Sequence, residues 1–307
     1  MIRRGRTLIA GVVAISLLTA LVATGCGSSS KSSSKGNVNI ANKGFTESDA
    51  VTQAYKQALE AAGFTVTLKP LTSTAIADAA IRKGDIDIYP DYTVTLLSDV
   101  LKAPSVPTDV TAQVAAIKSG YASRGLTVLD VAPFNNDNEV ACTKDAVAKY
   151  SLTDLSSLGK ASGNIVYSAN PEHTTRPDGL PLLTKEYGIK FKKLILVAIN
   201  LRYRPVEQGQ AQCVYAFGTD PQVAKDGLVL IKDDKAKFGG APFQGIPVVS
   251  QKFLDAAPPE FAATINKVSA ALTTAEVEKM NAAIDLDKQD PDVAAKAFLE
   301  ANGLLSQ

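Results

Sequence analysis

Apolar residues recur along this chain at two spacings, alternate positions in short runs and every third or fourth position in longer ones, and the two kinds follow in turn. Residues 38–41 predict a short strand. Val51, Tyr55, Ala58, Leu59 and Ala62 then mark one face of a helix that Thr46 is placed to cap and Gly63 to end. Residues 64–68 alternate as a strand, and residues 74–83 form a helix closed by Gly84. Ile86 and Ile88 predict a third strand that ends at Pro90, with a helix opening after Tyr92. A helix over 110–124 and a strand over 126–131 complete a run of β-α-β units, which predicts a parallel sheet covered by helices.

The pattern pauses on polar turn residues at P-F-N-N-D-N, residues 133–138, and a second series begins. Strands are predicted over 139–143, 165–168, 194–197, 213–217 and 228–231, separated by helices or loops. A glycine- and proline-rich passage, residues 239–247, leads into a strand over 248–250. The chain beyond is helical near 259–272, 274–284 and 292–302. Two irregular passages about a hundred residues apart indicate two lobes, between which the chain passes out and back. Their boundary predicts one lobe from residues 38–136 with 244–307, the other from 137–243, and a ligand pocket between them.

The first residues follow a different logic. Arg3, Arg4 and Arg6 precede the apolar run 8–22, and L-V-A-T-G-C ends at Cys26. That is a secretory signal, residues 1–25, whose flanks look like a bacterial lipobox, so cleavage before Cys26 and lipidation of its sulfur are expected. The next residues, G-S-S-S-K-S-S-S-K-G, bury nothing and predict a flexible tether over 26–37, reaching about 15 to 20 Å. The mature protein is therefore expected at the outer face of a bacterial cytoplasmic membrane.

Charge and composition narrow the chemistry. Without the signal arginines, acidic residues slightly outnumber basic ones, which gives no footprint for nucleic acid. There is one histidine, His173, which suits a loop position better than catalysis. The sequence offers no recognisable nucleophile setting, metal-ligand cluster or phosphate loop, so neither an enzyme nor a metal or cofactor is expected. After Cys26 only Cys142 and Cys213 remain, in a compartment where they are free to pair; the sequence leaves that open.

Several segments are expensive to explain as scaffold. They are N-K-G-F-T-E at 42–47, I-D-I-Y-P-D-Y-T at 86–93, N-P-E-H-T-T-R-P-D-G at 170–179, L-R-Y-R-P at 201–205, A-F-G-T-D-P at 216–221 and G-G-A-P-F-Q at 239–244. They fall at strand ends or chain crossings, where open α/β sheets hold ligands. By itself the Gly84–Thr95 stretch serves equally as a core strand or as part of a ligand site.

K-G-F-T-E, I-D-I-Y-P-D-Y-T, R-P-D-G-L-P, L-R-Y-R and F-G-T-D occur in one order and spacing that closely resembles the substrate-binding proteins of bacterial ABC importers for quaternary ammonium compounds. The resemblance spans residues 39–305. It implies an α/β, two-lobed type II periplasmic-binding-protein fold with the ligand in the cleft, acting as a monomer with a membrane permease and cytoplasmic ATPase as partner. It also implies a box of aromatic rings around a methylated cation, because such a cation donates no strong hydrogen bond and ring faces replace its hydration. Carried over by motif, Tyr92, Asn138, Phe217 and Phe243 are the box positions. Lys43, Thr95 and Arg176 are the positions for a ligand carboxylate, with Arg176 supplying a planar fork and Lys43 a point charge.

This chain departs from the family where tyrosines are usual, with Asn138, Phe217 and Phe243 in their place. A glycine betaine, choline or carnitine type of ligand is the main expectation. A less charged or aromatic ligand is the alternative, as is a sensing lipoprotein with the same cleft. Asp137, Arg202 and Tyr203 are expected behind the ligand contacts, and Tyr89 is expected to be scaffold.

Overall fold

Among the described residues ten strands gather into two five-stranded sheets, each with its own helices. The computed structural model describes residues 34–305; the signal run and Cys26 lie outside the described residues. The first sheet contains β1 (Asn37–Asn42), β2 (Thr65–Pro70), β3 (Ile88–Tyr92) and β4 (Leu126–Val128). The second contains β5 (Asn138–Cys142), β6 (Val166–Ala169), β7 (Lys193–Leu196), β8 (Cys213–Phe217) and β9 (Val229–Leu230). The returning chain adds β10 (Gly245–Ser250) to the first sheet. The orders are β2-β1-β3-β10-β4 and β7-β6-β8-β5-β9.

Both sheets are mixed, where the first run of β-α-β units predicted a parallel one. β10 enters from the second lobe and runs antiparallel to both β3 and β4, and β5 is antiparallel to β8 and β9. A strand that follows a lobe crossing is not constrained by the β-α-β connection, so local periodicity does not set its direction.

β3 also continues through Pro90 to Tyr92, where the sequence predicted an end. Pro90 faces Pro247 of β10, and the Pro247 carbonyl accepts from Leu129 on its other side at 3.0 Å. The two prolines thus oppose each other at a pair whose backbone polar groups point away from one another, so neither missing N–H breaks the β3–β10 ladder. That extension carries Tyr92 to the mouth of the site.

Each sheet is buried on both faces. Val38, Ile40 and Ile88 of the first pack beneath the helices Thr46–Ala61, Pro259–Ala271, Thr274–Asp285 and Pro291–Ala301. Its other face meets Thr74–Lys83 and Val110–Ala122 through Ile81, Ile117 and Tyr121. In the second sheet the period-two alternation is clear: Val140, Cys142, Cys213 and Tyr215 enter one core, and Ala141, Val214 and Ala216 enter another. Thr46 does not cap its helix. It is the first helical residue, and its hydroxyl donates to Asp285 at 2.6 Å.

Two residues expected in the tether, Lys35 and Gly36, belong to the folded domain. The Lys35 N–H donates to the Gly63 carbonyl at 2.9 Å, and the Gly36 carbonyl accepts from Thr65 at 2.9 Å, so both residues are docked on the sheet edge before β1 begins. The two crossings run side by side. Asn135 bridges Gln244, and the Asn136 N–H donates to the Phe243 carbonyl at 3.0 Å.

Candidate functional site

A cavity of about 400 Å³ lies between the lobes. Lys43, Tyr92, Thr95, Asn138, Arg176, Phe217 and Phe243, all expected at the ligand from the sequence, line it together. The first lobe adds Gly44, Phe45 and residues 72–74. The second adds Asn170, Pro171, Glu172 and residues 198–200, and Asn136 comes from a crossing.

The aromatic wall is built from both lobes. β3 delivers Tyr92, β8 ends in Phe217, and Phe243 sits at the return crossing. Phe45, which sequence reasoning passed over, faces Phe217 with ring centroids 6.2 Å apart. It occupies the extended residue just before the first helix, so its side chain leaves the helical pattern and no periodicity marks it. K-G-F-T-E held the signal. The Tyr92 ring stands edge-on to Phe134 at 6.2 Å, and the Lys43 ammonium lies 5.1 Å from its centroid.

Asn138 lines the cavity, but its amide is already engaged. It donates to the Asp178 carbonyl at 3.1 Å and accepts the Tyr215 hydroxyl. In β5–β8 register Asn138 faces Phe217, and four residues on Cys142 faces Cys213, to which it is disulfide-bonded. The covalent link therefore holds the register that sets the site's side chains.

Both cations of the cavity arrive paired. The Lys43 ammonium meets the Asp91 carboxylate at 2.8 Å and donates to the Thr74 hydroxyl at 3.3 Å; Thr74 in turn donates to Asp91 at 2.8 Å. The Arg176 guanidinium forks onto Asp178 through Nε and Nη2, and Nη2 also donates to the Thr95 hydroxyl at 2.9 Å. Burial alone would raise the Asp178 carboxyl, but the adjoining Arg176 holds it below the usual range. Gly179 closes this loop where a Cβ would stand 2.3 Å from the His173 carbonyl oxygen, which requires glycine.

Glu47 links the lobes behind the aromatic wall. Its carboxylate accepts the Tyr92 hydroxyl, Asn136 Nδ2 at 2.8 Å, the Thr219 hydroxyl from the second lobe, and Asn281 Nδ2 at 3.3 Å. Burial raises its carboxyl above the ordinary value, against the lowering effect of those hydrogen bonds. Asp285 works alongside, accepting Thr46 and, from the second lobe, Gln222 at 2.6 Å.

Asp137, Arg202 and Tyr203 stand outside the cavity lining. Asp137 accepts from Asn135 at 2.7 Å at the crossing, and burial raises its carboxyl. The Arg202 guanidinium lies 4.5 Å from the Phe217 centroid and pairs with Asp220, which also accepts the Tyr203 hydroxyl at 2.7 Å. Arg202 thus packs on the Phe217 ring while standing outside the cavity lining. Tyr89 is fully buried, its hydroxyl 3.2 Å from that of Tyr121. His173 is buried against Tyr215 with centroids 3.9 Å apart, and burial pushes it down to about 3.

Among the described residues no group of three or more His, Cys, Asp or Glu is placed to hold a metal, and no helix is long and apolar enough to cross a membrane.

Residues 36–301 match the model of a family described as the substrate binding domain of ABC-type glycine betaine transport systems. The chain is 30% identical over 275 residues to the carnitine transport binding protein of Listeria monocytogenes, covering 88% of each chain. It is 30% identical to the ergothioneine transport permease/ergothioneine binding protein of Helicobacter pylori, over 73% of this chain and 40% of that protein. Among solved structures it superposes on one titled a glycine betaine/carnitine/choline ABC transporter with a TM-score of 0.67 and 26% identity, covering 88% of this chain and all of the other.

Proposed function

Since the chain belongs to the family of substrate-binding domains of ABC-type glycine betaine transport systems, we propose that its cavity captures a quaternary ammonium compound outside the cytoplasm and presents it to the permease of an ABC importer. Type II periplasmic-binding-protein architecture, shared with relatives of that family, supplies the two lobes and the cleft. The observation that carries the reading is the aromatic wall of Phe45, Tyr92, Phe217 and Phe243, drawn from both lobes and the crossing into one cavity of about 400 Å³.

Micromolar capture requires about 8 kcal/mol, and each cation–π contact supplies roughly 0.5 to 2 kcal/mol. Three or four rings therefore account for much of the affinity, with apolar burial of the methyl groups adding the remainder. Phe45 makes good the ring that Asn138 lacks. Lys43, Thr95 and Arg176 form the polar end of the cavity, and Asn138 holds the Asp178 partner of Arg176 in place.

Closure of the lobes is the mechanism. A ligand that touches Tyr92 on one side and Phe217 on the other interacts fully in the shut form alone, so binding shifts the population toward it. We read residues 38–136 with 244–307 as one lobe and 137–243 as the other. Lipidation of Cys26 would hold this monomeric domain at the outer face of the membrane, within reach of the permease. No catalytic step belongs to the site.

Titration calorimetry with glycine betaine, choline, carnitine and ergothioneine tests the reading. At least one is expected to bind with a Kd of micromolar order, and Tyr92→Ala to lose most of that affinity. Near-normal binding by the variant would overturn the aromatic cage.

A further inference from the structure

The cavity presents two cations whose charge is already answered and one carboxylate whose charge is not. Lys43 is paired with Asp91 and Arg176 with Asp178. Glu172, four residues before Arg176 on the same loop, lines the cavity, and among the described residues its carboxylate forms no hydrogen bond or ion pair. Counted with the paired carboxylates, the wall carries one more negative charge than positive.

Asn170 sits two residues further back and also lines the cavity. It is 7% exposed, and its side-chain oxygen is buried without a hydrogen-bond partner. A buried polar group left unpaired costs about 1 to 3 kcal/mol, so the buried Asn170 oxygen, beside a half-buried Glu172 carboxylate that is also unpaired, marks a place where the ligand supplies a donor. The Asn170–Gly179 loop is rigidly built: the Thr174 hydroxyl donates to the Pro171 carbonyl at 2.7 Å, and the Gly179 N–H to the Arg176 carbonyl at 3.0 Å. Glu172 is therefore held at the wall by its backbone, with its side chain left available.

We propose that Asn170 and Glu172 form a polar subsite that selects a net-cationic quaternary ammonium ligand bearing a hydroxyl or N–H donor, of the amino-alcohol type, over a zwitterion that brings its own carboxylate. The inference rests on the aromatic cage proposed above and deepens it. A zwitterion must place its carboxylate beside Arg176, where Asp178 already offsets the positive charge and Glu172 adds repulsion. A cationic alcohol brings no such conflict and donates its hydroxyl to the free carboxylate, a charge-assisted hydrogen bond. Burial raises the Glu172 carboxyl, with Arg176 and then Lys43 drawing it back; a bound cation draws it further toward the ionised form.

Choline and glycine betaine share a trimethylammonium group and differ in carrying a hydroxyl or a carboxylate, so the pair isolates the subsite. Calorimetry on the full chain is expected to show choline binding about tenfold tighter than glycine betaine, and Glu172→Gln to narrow that preference by about tenfold, weakening choline and strengthening betaine. Betaine binding as tightly as choline, or a preference that Glu172→Gln leaves unchanged within about twofold, would overturn the subsite while leaving the cage intact. Failure of both compounds to bind would overturn this inference, and the cage would fall with it where carnitine and ergothioneine fail as well.

Discussion

Arg176 in the second lobe donates a 2.9 Å hydrogen bond to the Thr95 hydroxyl in the first, across a cavity that both residues line. The same guanidinium is forked onto Asp178. A planar donor held on one edge by a carboxylate thus offers its remaining hydrogens in a set direction, and one of them meets the opposite lobe.

In the closure mechanism proposed above, parting of the lobes would replace this contact by water. Thr95→Val keeps the shape of the side chain but removes the acceptor. It is expected to weaken ligand binding by about 1 to 2 kcal/mol, roughly five- to thirtyfold in Kd. Calorimetry measures the loss, and thermal unfolding of the unliganded variant is expected to match the wild type. A Kd within about twofold of wild type would remove this hydrogen bond from the closure mechanism.

Glu47 joins the lobes more deeply, because Tyr92, Asn136, Thr219 and Asn281 all donate to one carboxylate. Glu47→Gln turns one acceptor oxygen into a donor group that faces other donors. Two effects are expected: an affinity loss of about tenfold or more, and a larger radius of gyration under saturating ligand in small-angle scattering. A ligand-bound profile identical to that of the wild type would show that this carboxylate does not hold the lobes together.

His173 gives the pH dependence a defined sign. It stacks on Tyr215, approaches the Tyr167 hydroxyl at 3.3 Å, sits edge-on to Phe238, and is buried with Arg176 and Asp178 nearby. Burial first, and Arg176 second, push it from 6.5 to about 3. Between those values the unfolded chain binds the proton and the folded chain does not, so stability falls as pH falls through that window. His173→Phe keeps an aromatic ring in the stack and removes the titration. Between pH 7 and about 4.5 the variant is expected to lose about 2 to 3 kcal/mol less than the wild type in denaturant unfolding. Equal losses would mean that His173 is protonated in the folded protein.

Much of the fold is legible in the order of residues. Helices such as Thr74–Lys83, with Gly84 in the left-handed conformation at its end, and Pro259–Ala271 follow directly from apolar spacing and punctuation. The strand Cys213–Phe217 follows from its alternation. The same local grammar marks the crossings at 133–138 and 239–247, because polar, glycine and proline residues interrupt both periodicities there. Motif order brought seven of the cavity's residues into view before any geometry was known.

What the tertiary structure decided are relationships between residues far apart in the chain. Periodicity states which face of an element is buried and is silent about what lies opposite. It did not reveal that β10 returns antiparallel, that Pro90 finds Pro247, or that Phe45 completes the aromatic wall. Nor did it show that Arg176 meets Thr95 81 positions away, or that Glu47 meets Thr219 at a separation of 172. The charge balance of the site belongs to the same class. Lys43 and Arg176 are visible in the sequence as cations, but their neutralisation by Asp91 and Asp178, and the carboxylate left unpaired at Glu172, arise when separate strands and loops converge on one cavity.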